Sequence, residues 1–406
     1  MNLLKFEENK EDLINSLIYS LIDLVKIKSL TGFEDNLKNY ILNFIQNNTD
    51  FDKLHIYQKR NNVVVFNREL QEDKLIALVG HIDTVDNINE YNGKIIDNKL
   101  YGLGSSDMKA GIALMLSILK LFYNFKNLIW IFYDQEEGPY VNNGLNLIFN
   151  DLRNLLSKVK LAIILEPTNN LIELGCNGVM NLEVLIKGKS GHSARPYSYI
   201  NPFYKLNKLL NRIPNFFSNE FKINLNQYGI DYPEQIIFRS NFTITDIRGM
   251  LNKSLENRFK NVVPEYVKIN FNVRFTPDLE KQKVLKSIFS FLYDVLNKEE
   301  IIIKIIDYAD SGKIIVNNVF QSFISFYLEN YSGIKGIKAK EAWTDIATFT
   351  NNGISAINLG PGDSSLAHQK NEYIPIDNLI KLFDFFNTII SRSFHIFEGG
   401  DELIMD

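Results

Sequence analysis

The sequence predicts an α/β protein: a catalytic domain with a largely parallel sheet between helices, interrupted by an inserted α+β domain. Three observations support this prediction. Residues 11–175 alternate helical patterns with short, uninterrupted apolar runs, as strands buried on both faces do. From about residue 180 apolar and polar residues alternate, as in a sheet with one exposed face. After about residue 311 the first pattern returns, so the second domain lies inside the first.

Three apolar runs define the sheet of the main domain. They lie at 75–84 (LIALVGHIDT), 128–137 (LIWIFYDQEE) and 161–168 (LAIILEPT). A helix is predicted over 107–125, with Asp107 at its N-terminal end, where a carboxylate favours the helix dipole. Strands joined by crossover helices form a parallel sheet.

The alternating segment predicts a β-α-β-β-α-β order, as in ferredoxin-like domains. Its clearest elements are a strand from 181, a helix over 201–213, a strand over 267–277, a helix over 279–296 and a strand over 301–308. The main domain then resumes with a helix over 320–331, a strand over 354–360 and a terminal helix over 376–390. The predicted domains are therefore 1–179 with 312–406, and 180–311.

Composition limits the possible functions and locations. The 406 residues carry 44 Lys and Arg against 48 Asp and Glu, a net charge of −4, so no nucleic-acid partner is expected. No apolar run is long enough to cross a membrane, so no membrane partner is expected either. The N-terminal region lacks a secretory pattern, and the single cysteine, Cys176, cannot form an internal disulfide. We expect a cytoplasmic protein in which Cys176 is buried.

Side chains that can bind metal follow the predicted strands of the main domain. Because ligands bind at the carboxyl ends of strands in open α/β sheets, these side chains should converge. Two further candidates each follow a loop rich in glycine and serine, YGLGSSD and LGPGDSSLAH, whose backbone can pass close to a site. The full set is His81, Asp83, Asp107, Glu136, Glu137, Glu166 and His368.

Five of these residues form a plausible set of metal ligands. They are His81, Asp107, Glu137, Glu166 and His368. Imidazole and carboxylate donors together suit zinc, cobalt or manganese. Five ligands are too many for one tetrahedral zinc with an open position. They suit two ions that share a carboxylate and a bridging water, as in hydrolases with metals about 3.5 to 4 Å apart.

Each motif also has a non-catalytic interpretation. An isolated His-X-Asp is commonly a hydrogen-bonded turn, Glu-Glu-Gly a solvated turn, and Glu-Pro a strand end, since a residue before proline is held extended. Asp107 could be only a helix cap. These interpretations would all have to hold at successive strand ends, where acidic groups packed without a cation would repel one another. The metal site is therefore the favoured hypothesis.

Longer motifs, taken together, resemble one enzyme superfamily. They are GHIDTV, YGLGSSDMKAGIA, DQEEG, EPT, KGKSGHSARP, NVVP, NVRFTP and LGPGDSSLAHQKNEYIP. The chain resembles the di-zinc amidohydrolases and exopeptidases, which include acetylornithine deacetylase, aminoacylase, glutamate carboxypeptidase and succinyl-diaminopimelate desuccinylase. The motifs follow the family's order through nearly the whole chain. One departure is the long basic loop LNKSLENRFK (251–260), where relatives have a compact glycine-rich turn.

The resemblance implies a role for each candidate ligand. It implies two divalent ions, zinc with cobalt as the alternative. One ion would be held by His81 and Glu166, the other by Glu137 and His368, and Asp107 would bridge them.

The two remaining carboxylates receive different roles. Asp83 would orient a metal-bound imidazole. Glu136 would act as the general base, taking a proton from the attacking water and passing it to the leaving amine. Strand geometry agrees, because adjacent side chains on an extended segment point to opposite sides, so Glu137 can bind metal while Glu136 faces the water.

Two residues of the inserted domain are also candidates. From the sequence alone, His192 in KGKSGHSARP is a solvent-facing residue or a local hydrogen-bond donor. The resemblance implies instead that it lies on a dimerising lid and polarises the scissile carbonyl in the partner subunit's site, so a homodimer through the inserted domain is expected. Arg274 in NVRFTP matches a family arginine that pairs with a substrate carboxylate. The alternative is an exposed arginine in a cross-strand pair.

Among these families the motifs most resemble the succinyl-diaminopimelate desuccinylases. This implies cleavage of N-succinyl-LL-2,6-diaminopimelate to succinate and LL-2,6-diaminopimelate. Its carboxylates would need cationic groups and backbone amides, which Arg195, Arg274 and the loop around Gly362 could supply. Acetylornithine deacetylases, aminoacylases, dipeptidases and carboxypeptidases share the catalytic residues and remain alternatives. A metal-free binding protein of this fold would normally have lost ligands, and none is lost here.

Overall fold

The structure is a computed structural model that describes residues 10–71, 74–86, 92–213 and 216–396. Its helices are α1 Lys10–Lys26, α2 Asp35–Asn48, α3 Lys109–Phe122, α4 Gly144–Asp151, α5 Arg153–Leu156, α6 Pro202–Leu210, α7 Lys281–Leu296, α8 Asn318–Asn330, α9 Ile346–Thr350 and α10 Ile376–Ile396. Short 3₁₀ turns lie between some of these elements.

The strands lie in both predicted domains. They are β1 Leu54–Lys59, β2 Asn62–Asn67, β3 Leu75–His81, β4 Lys94–Ile96, β5 Lys99–Tyr101, β6 Leu128–Tyr133, β7 Val159–Pro167, β8 Ile172–Leu174, β9 Gly178–Lys187, β10 Gly191–His192, β11 Glu220–Asn224, β12 Gln235–Arg239, β13 Asn241–Met250, β14 Val262–Val263, β15 Tyr266–Phe275, β16 Ile301–Ala309, β17 Ile337–Ala339, β18 Ser355–Gly360 and β19 Tyr373–Pro375.

The main sheet has eight strands in the order β1-β2-β6-β3-β7-β18-β8-β17. Its four central strands, β6, β3, β7 and β18, run parallel to one another. Strands β3, β6 and β7 match the three predicted apolar runs, and β18 matches the strand predicted over 354–360. The structure therefore confirms the α/β fold class, with a largely parallel central sheet.

Helices cover both faces of this sheet. On β3, Ile76 and Leu78 pack into one core with α1, α2, α3, α8 and α10. The alternate residues Ala77 and Val79 pack into a second core with α4, α5 and α9. Because both faces are buried, these strands have no polar alternation, which explains the uninterrupted apolar runs.

The helix predicted over 107–125 is shorter than expected. It begins at Lys109, with Met108 at the N-cap position, and ends at Phe122. The prediction that Asp107 stands at the helix N-terminus is therefore wrong, and so is the alternative that it is a helix cap. The Asp107 N–H instead donates to the Glu372 carboxylate, 2.9 Å away, which holds this residue in the preceding loop.

The second sheet has the strand order β13-β15-β9-β16, and all its neighbouring strands are antiparallel. With α6 and α7 it has the predicted β-α-β-β-α-β order. Apolar residues on one face, such as Val184 and Phe271, pack against Leu206 of α6 and Ile288 of α7. Side chains on β9 and β15 alternate between buried and half-buried, as the sequence pattern predicts.

The hairpin of β11 and β12 was not predicted. Its residues Ile223, Ile236 and Phe238 pack into the core of the main domain, although they lie within the range 180–311. The two strands have five residues each, and only β11 (EFKIN) alternates polar and apolar residues, whereas β12 (QIIFR) does not, so the pair gives no clear signal. The domain boundaries themselves stay a prediction.

A small sheet, also not predicted, links two loops of the main domain. Its strand order is β19-β5-β4, and Tyr373 of β19 pairs with Tyr101 of β5. The segment before β19 carries His368, and the segment after β5 carries Asp107. This sheet therefore places the two glycine-rich loops next to each other.

Two expectations from composition can be compared with the structure. Cys176 is fully buried, as predicted, and burial raises the pKa of its thiol to about 11. None of the helices within the described ranges is long and apolar enough to cross a membrane.

Candidate metal centre

The ends of β3 and β7 bring His81 and Glu166 together. These parallel strands are in register, with Val79 opposite Ile164, so residues two positions later lie at the same edge. His81 Nε2 lies 3.7 Å from Glu166 Oε1 and 3.1 Å from Asp107 Oδ1. All three side chains offer ligand atoms within 4.8 Å of one another. The three residues form the first candidate metal group.

The second candidate group consists of Asp107, Glu137 and His368, whose ligand atoms also lie within 4.8 Å of one another. His368 Nε2 lies 2.7 Å from Glu137 Oε1 and 3.6 Å from Asp107 Oδ2. Asp107 thus presents Oδ1 to one histidine and Oδ2 to the other. A carboxylate that faces two groups in this way is suited to bridge two cations.

Glu136 also lies near the first group. Its carboxylate, with His81 and Glu137, forms a further set within 4.8 Å. Geometry alone therefore allows either glutamate beside His81 to bind metal. The division of roles between Glu136 and Glu137 stays a prediction.

Asp83 fixes the backbone that carries both glutamates. Its Oδ1 accepts a hydrogen bond from the Glu136 N–H, and its Oδ2 accepts one from the Glu137 N–H, both at 3.0 Å. The Thr31 hydroxyl donates to the same Oδ2 at 3.0 Å. His81 Nδ1 lies 3.0 Å from the Asp83 carbonyl oxygen and 3.5 Å from Oδ1. Asp83 therefore orients His81 chiefly through its backbone carbonyl.

Glu136 and Glu137 do not lie on a strand, so the prediction that strand alternation separates their side chains is wrong. Strand β6 ends at Tyr133, and Gln135 turns the chain with a φ of 56°. Glu136 and Glu137 consequently lie in a turn, where side chains do not alternate between two faces. The backbone of this turn is held by the two hydrogen bonds from the Glu136 and Glu137 N–H groups to Asp83.

The cluster concentrates negative charge in a buried place. Burial raises the pKa of Glu166 to about 8 and the pKa of Glu136 well above its usual value, and neighbouring carboxylates add to both shifts. Burial alone would lower the pKa of His81, but hydrogen bonds to Asp107 and Asp83 raise it well above its ordinary value. Bound cations would relieve this repulsion.

The loop with His368 is held against the loop with Asp107. His368 is the most exposed residue of the two metal groups, with 48% of its side chain accessible, and its φ is 61°. Gly362 packs on the backbone of Ser106, where a methyl group would lie 2.2 Å from the carbonyl oxygen. Gly362 thus supports the Asp107 loop, and its contact with substrate stays a prediction.

The structure does not bring His192 to the cluster. His192 is exposed on β10, and its Nδ1 accepts a hydrogen bond from the Ala194 N–H at 3.1 Å. It belongs to none of the metal groups found among the described residues. Arg195 is likewise exposed, and its N–H donates to the His192 carbonyl in a local turn.

Arg274 is half-buried on β15. Its Nε donates to Asn272 Oδ1 at 3.1 Å, and Asn272 in turn donates to Asn181. Within the described part of the chain it forms no ion pair with a carboxylate. Burial lowers the pKa of its guanidinium, because surroundings poor in water disfavour the charged form.

Sequence reasoning gave no role to two buried carboxylates next to the site. Asp345 accepts hydrogen bonds from Tyr133 and Asn143 at 2.8 and 2.9 Å and from Thr348 at 2.6 Å. Glu372 accepts three backbone hydrogen bonds from the Asp107 loop. Glu372 stands inside the motif LGPGDSSLAHQKNEYIP, but only contacts in three dimensions show what either residue does.

Comparison with known proteins decides the family. A model of the peptidase family M20/M25/M40 matches residues 77–392, which span both candidate metal groups and the inserted sheet. The chain belongs to this family. The resemblance found in the motifs is thereby confirmed, and the protein is an M20 metallohydrolase.

Individual M20 relatives agree with this assignment. The succinyl-diaminopimelate desuccinylase of Corynebacterium glutamicum is 29% identical over 375 residues, covering 91% of this chain and 94% of the relative. The crystal structure of the aminopeptidase PepT of Bacillus cereus superimposes with a TM-score of 0.70 at 17% identity, covering 93% of this chain and 98% of that one. An M20 metallo-carboxypeptidase of Sulfolobus solfataricus gives a TM-score of 0.67 at 18% identity, over 91% and 97%. The solved structures support the fold.

Proposed function

We propose that this M20 enzyme binds two divalent ions, zinc or alternatively cobalt, in the two candidate groups. This proposal rests mainly on one observation: Asp107 directs one carboxylate oxygen to His81 and the other to His368. His81 and Glu166 would complete one group, and Glu137 and His368 the other. The mixture of imidazole and carboxylate donors fits both metals.

The residues around the ions would divide the work of amide hydrolysis. When bound, the ions supply a water of lowered pKa and polarise the amide carbonyl. Glu136 accepts the proton of the attacking water and delivers it to the leaving nitrogen. Burial raises the pKa of the Glu136 carboxyl, which favours its acceptance of a proton. The Asp83 carboxylate accepts a hydrogen bond from the Glu136 N–H and thereby holds Glu136 in place.

The proposed substrate is N-succinyl-LL-2,6-diaminopimelate, which would be cleaved to succinate and LL-2,6-diaminopimelate. The relative from Corynebacterium glutamicum, named for this reaction, supports the proposal over nearly its whole length. Arg274 supports it further, because a half-buried guanidinium without a carboxylate partner among the described residues suits an anionic substrate. Arg195 and the loop around Gly362 are proposed as additional contacts.

A panel of three substrates tests this assignment. We expect kcat/KM of the metal-loaded enzyme to be highest for the succinylated diaminopimelate, lower for N-acetylornithine and lowest for a plain dipeptide. A pocket that pairs an arginine with the succinyl carboxylate rejects an acetyl group, since a buried charged donor would remain unpaired. A preference for acetylornithine or the dipeptide would refute the desuccinylase assignment and leave the metal centre untouched.

We further propose a homodimer through the inserted domain, residues 180–311. Three of its aromatic side chains, Tyr197, Tyr204 and Phe259, are 86%, 74% and 62% exposed, and aromatic side chains are enriched in protein interfaces. Among the described strands, β13 is an edge strand of this domain's sheet, and an edge strand can pair with another chain. Light scattering should show a dimer for the wild type and a monomer for a Tyr197→Glu, Tyr204→Glu variant. A wild-type monomer would contradict the proposal.

The proposed place of action is the cytoplasm. The only cysteine, Cys176, is buried, so no disulfide contributes to the fold of the described residues. A reducing compartment is therefore compatible with the protein. Fractionation of cells that express the full chain tests this, with activity in the cytosolic fraction as the expected result.

A further inference from the structure

Glu372 is a buried carboxylate between His368 and strand β19. Only 2% of the residue is exposed. Its Oε2 accepts a hydrogen bond from the Gly104 N–H at 2.9 Å, and its Oε1 accepts from Ser106 at 2.8 Å and from Asp107 at 2.9 Å. All three donors belong to the loop that carries Asp107, the residue proposed to bridge the two ions.

These hydrogen bonds hold Asp107 where no helix or strand does. Helix α3 begins only at Lys109, so the Asp107 N–H has no partner in a regular element and donates to Glu372 instead. Because the Glu372 carboxyl group is buried, a lost hydrogen bond from the Asp107 loop would not be replaced by one to water. A displaced backbone would change both the 3.1 Å distance from Asp107 to His81 and the 3.6 Å distance to His368.

Glu372 also joins the two loops that supply the second metal group. Its segment carries His368, and its hydrogen bonds end on the loop of Asp107. A second connection comes from the Ser106 hydroxyl, which donates to the Asp363 carbonyl at 2.9 Å and accepts from the Asp363 N–H at 2.7 Å. These contacts set the separation between Asp107 and His368.

The two metal groups depend on these loops to different degrees. In the first group, His81 and Glu166 lie on the strands β3 and β7, which the sheet holds in register. In the second group all three ligands lie in loops or turns. Loss of the contacts between the loops should therefore weaken the second group more than the first.

We propose that Glu372 is a positioning residue for Asp107 and sets the metal affinity of the group formed by Asp107, Glu137 and His368. The proposal rests on the two-ion assignment made above. Glu372 touches neither a substrate atom nor a metal ligand atom in this account, since it acts through the backbone of Asp107. Removal of such partners of metal ligands typically costs about 10- to 100-fold in affinity.

Cobalt titration of the metal-free full-length protein tests the proposal without measuring turnover. Calorimetry and the visible absorption of bound Co²⁺ resolve the first and second equivalents. For Glu372→Gln we expect the second equivalent, assigned to the group of Asp107, Glu137 and His368, to bind about 10- to 100-fold more weakly than in the wild type, and the first equivalent to be weakened less. The amide can replace only one of the two carboxylate oxygens as an acceptor, so at least one bond to the Asp107 loop is lost.

Glu34→Gln is the matched control. Glu34 is also fully buried and accepts from a backbone N–H, that of Gly32, at 2.6 Å and from the Asn61 amide at 3.0 Å. None of these partners is a proposed ligand or lies in the two loops. This variant should bind both equivalents as the wild type does.

Each remaining outcome decides the question. Two equivalents of wild-type affinity in Glu372→Gln would overturn the proposal, and so would an equal loss of both equivalents or the same loss in Glu34→Gln. If Glu372→Gln does not fold, Glu372→Asp replaces it, because the shorter carboxylate cannot reach all three N–H groups and should weaken the second equivalent more than the first. A wild type that binds fewer than two ions would refute the two-ion assignment and this proposal with it.

Discussion

The metal cluster and His192 differ in how complete they are within one chain. The donors of the cluster are buried or half-buried except for His368, and within each metal group their ligand atoms lie within 4.8 Å of one another. His192 is exposed, and its side chain accepts a local hydrogen bond from the Ala194 N–H. The strands β3 and β7 hold His81 and Glu166 in place, whereas the role proposed for His192 would require a partner subunit or a movement of the inserted domain.

This difference follows from what each region has to do. Ligands for a cation must be held at fixed separations, and the ends of parallel strands provide such positions. A group that contacts the substrate from the inserted domain must allow the substrate to enter and leave. Variants of the cluster and of His192 can show whether the cluster catalyses hydrolysis and whether His192 contributes to the site of a second chain.

The largest effect is expected inside the cluster. Glu136→Gln should lower kcat by about 10²- to 10⁴-fold and leave the metal content unchanged, because the amide cannot accept the proton of the attacking water. Glu137→Gln should instead lower the metal content. Steady-state kinetics and elemental analysis of both variants check this. If metal is lost from the Glu136 variant and retained by the Glu137 variant, the two roles are exchanged.

His192→Ala tests the other region. It should lower kcat by about 10²- to 10³-fold, the usual effect of removing one donor to a developing oxyanion, and should leave both ions bound. When mixed with Glu136→Gln subunits, it should regain activity, since a mixed dimer has one site with an intact Glu136 and an intact His192 from the other chain. Absence of recovery in verified mixed dimers would show that His192 does not act across the interface.

A smaller effect is expected for Asp83, which supports the cluster without binding a metal in this account. In Asp83→Asn one of the two acceptor oxygens becomes a donor and faces the N–H of Glu136 or Glu137. We expect a loss of about 10- to 100-fold in metal affinity or kcat. Thr31→Ala, which removes only the hydroxyl donor to Asp83, should have a weaker effect. Equal effects of both variants would argue against the proposed role of Asp83.

The sequence was most informative where one local pattern determines the structure. Buried parallel strands have an unmistakable composition, so β3, β6 and β7 and the convergence of His81 and Glu166 could be predicted. The start of α3 could not, because the acceptor for the Asp107 N–H is Glu372, which is distant in sequence. For the same reason the packing of the β11–β12 hairpin on the main core had no local signal.

The turn after β6 shows a second limit. The positive φ of Gln135 ends the strand before the two glutamates, although the first glycine and proline come only after them, at Gly138 and Pro139. A non-glycine residue in this conformation is held by its surroundings, here by the contacts that Asp83 makes with the turn. Such surroundings cannot be read from neighbouring residues alone.

The metal content of the reconstituted enzyme tests the central claim most directly. After loading with zinc or cobalt and removal of excess metal, elemental analysis should approach two ions per chain for the wild type. Asp107→Ala should retain clearly fewer, because the carboxylate that faces both His81 and His368 is gone. Fewer than one ion per wild-type chain, with Asp107→Ala indistinguishable from it, would contradict the two-ion centre.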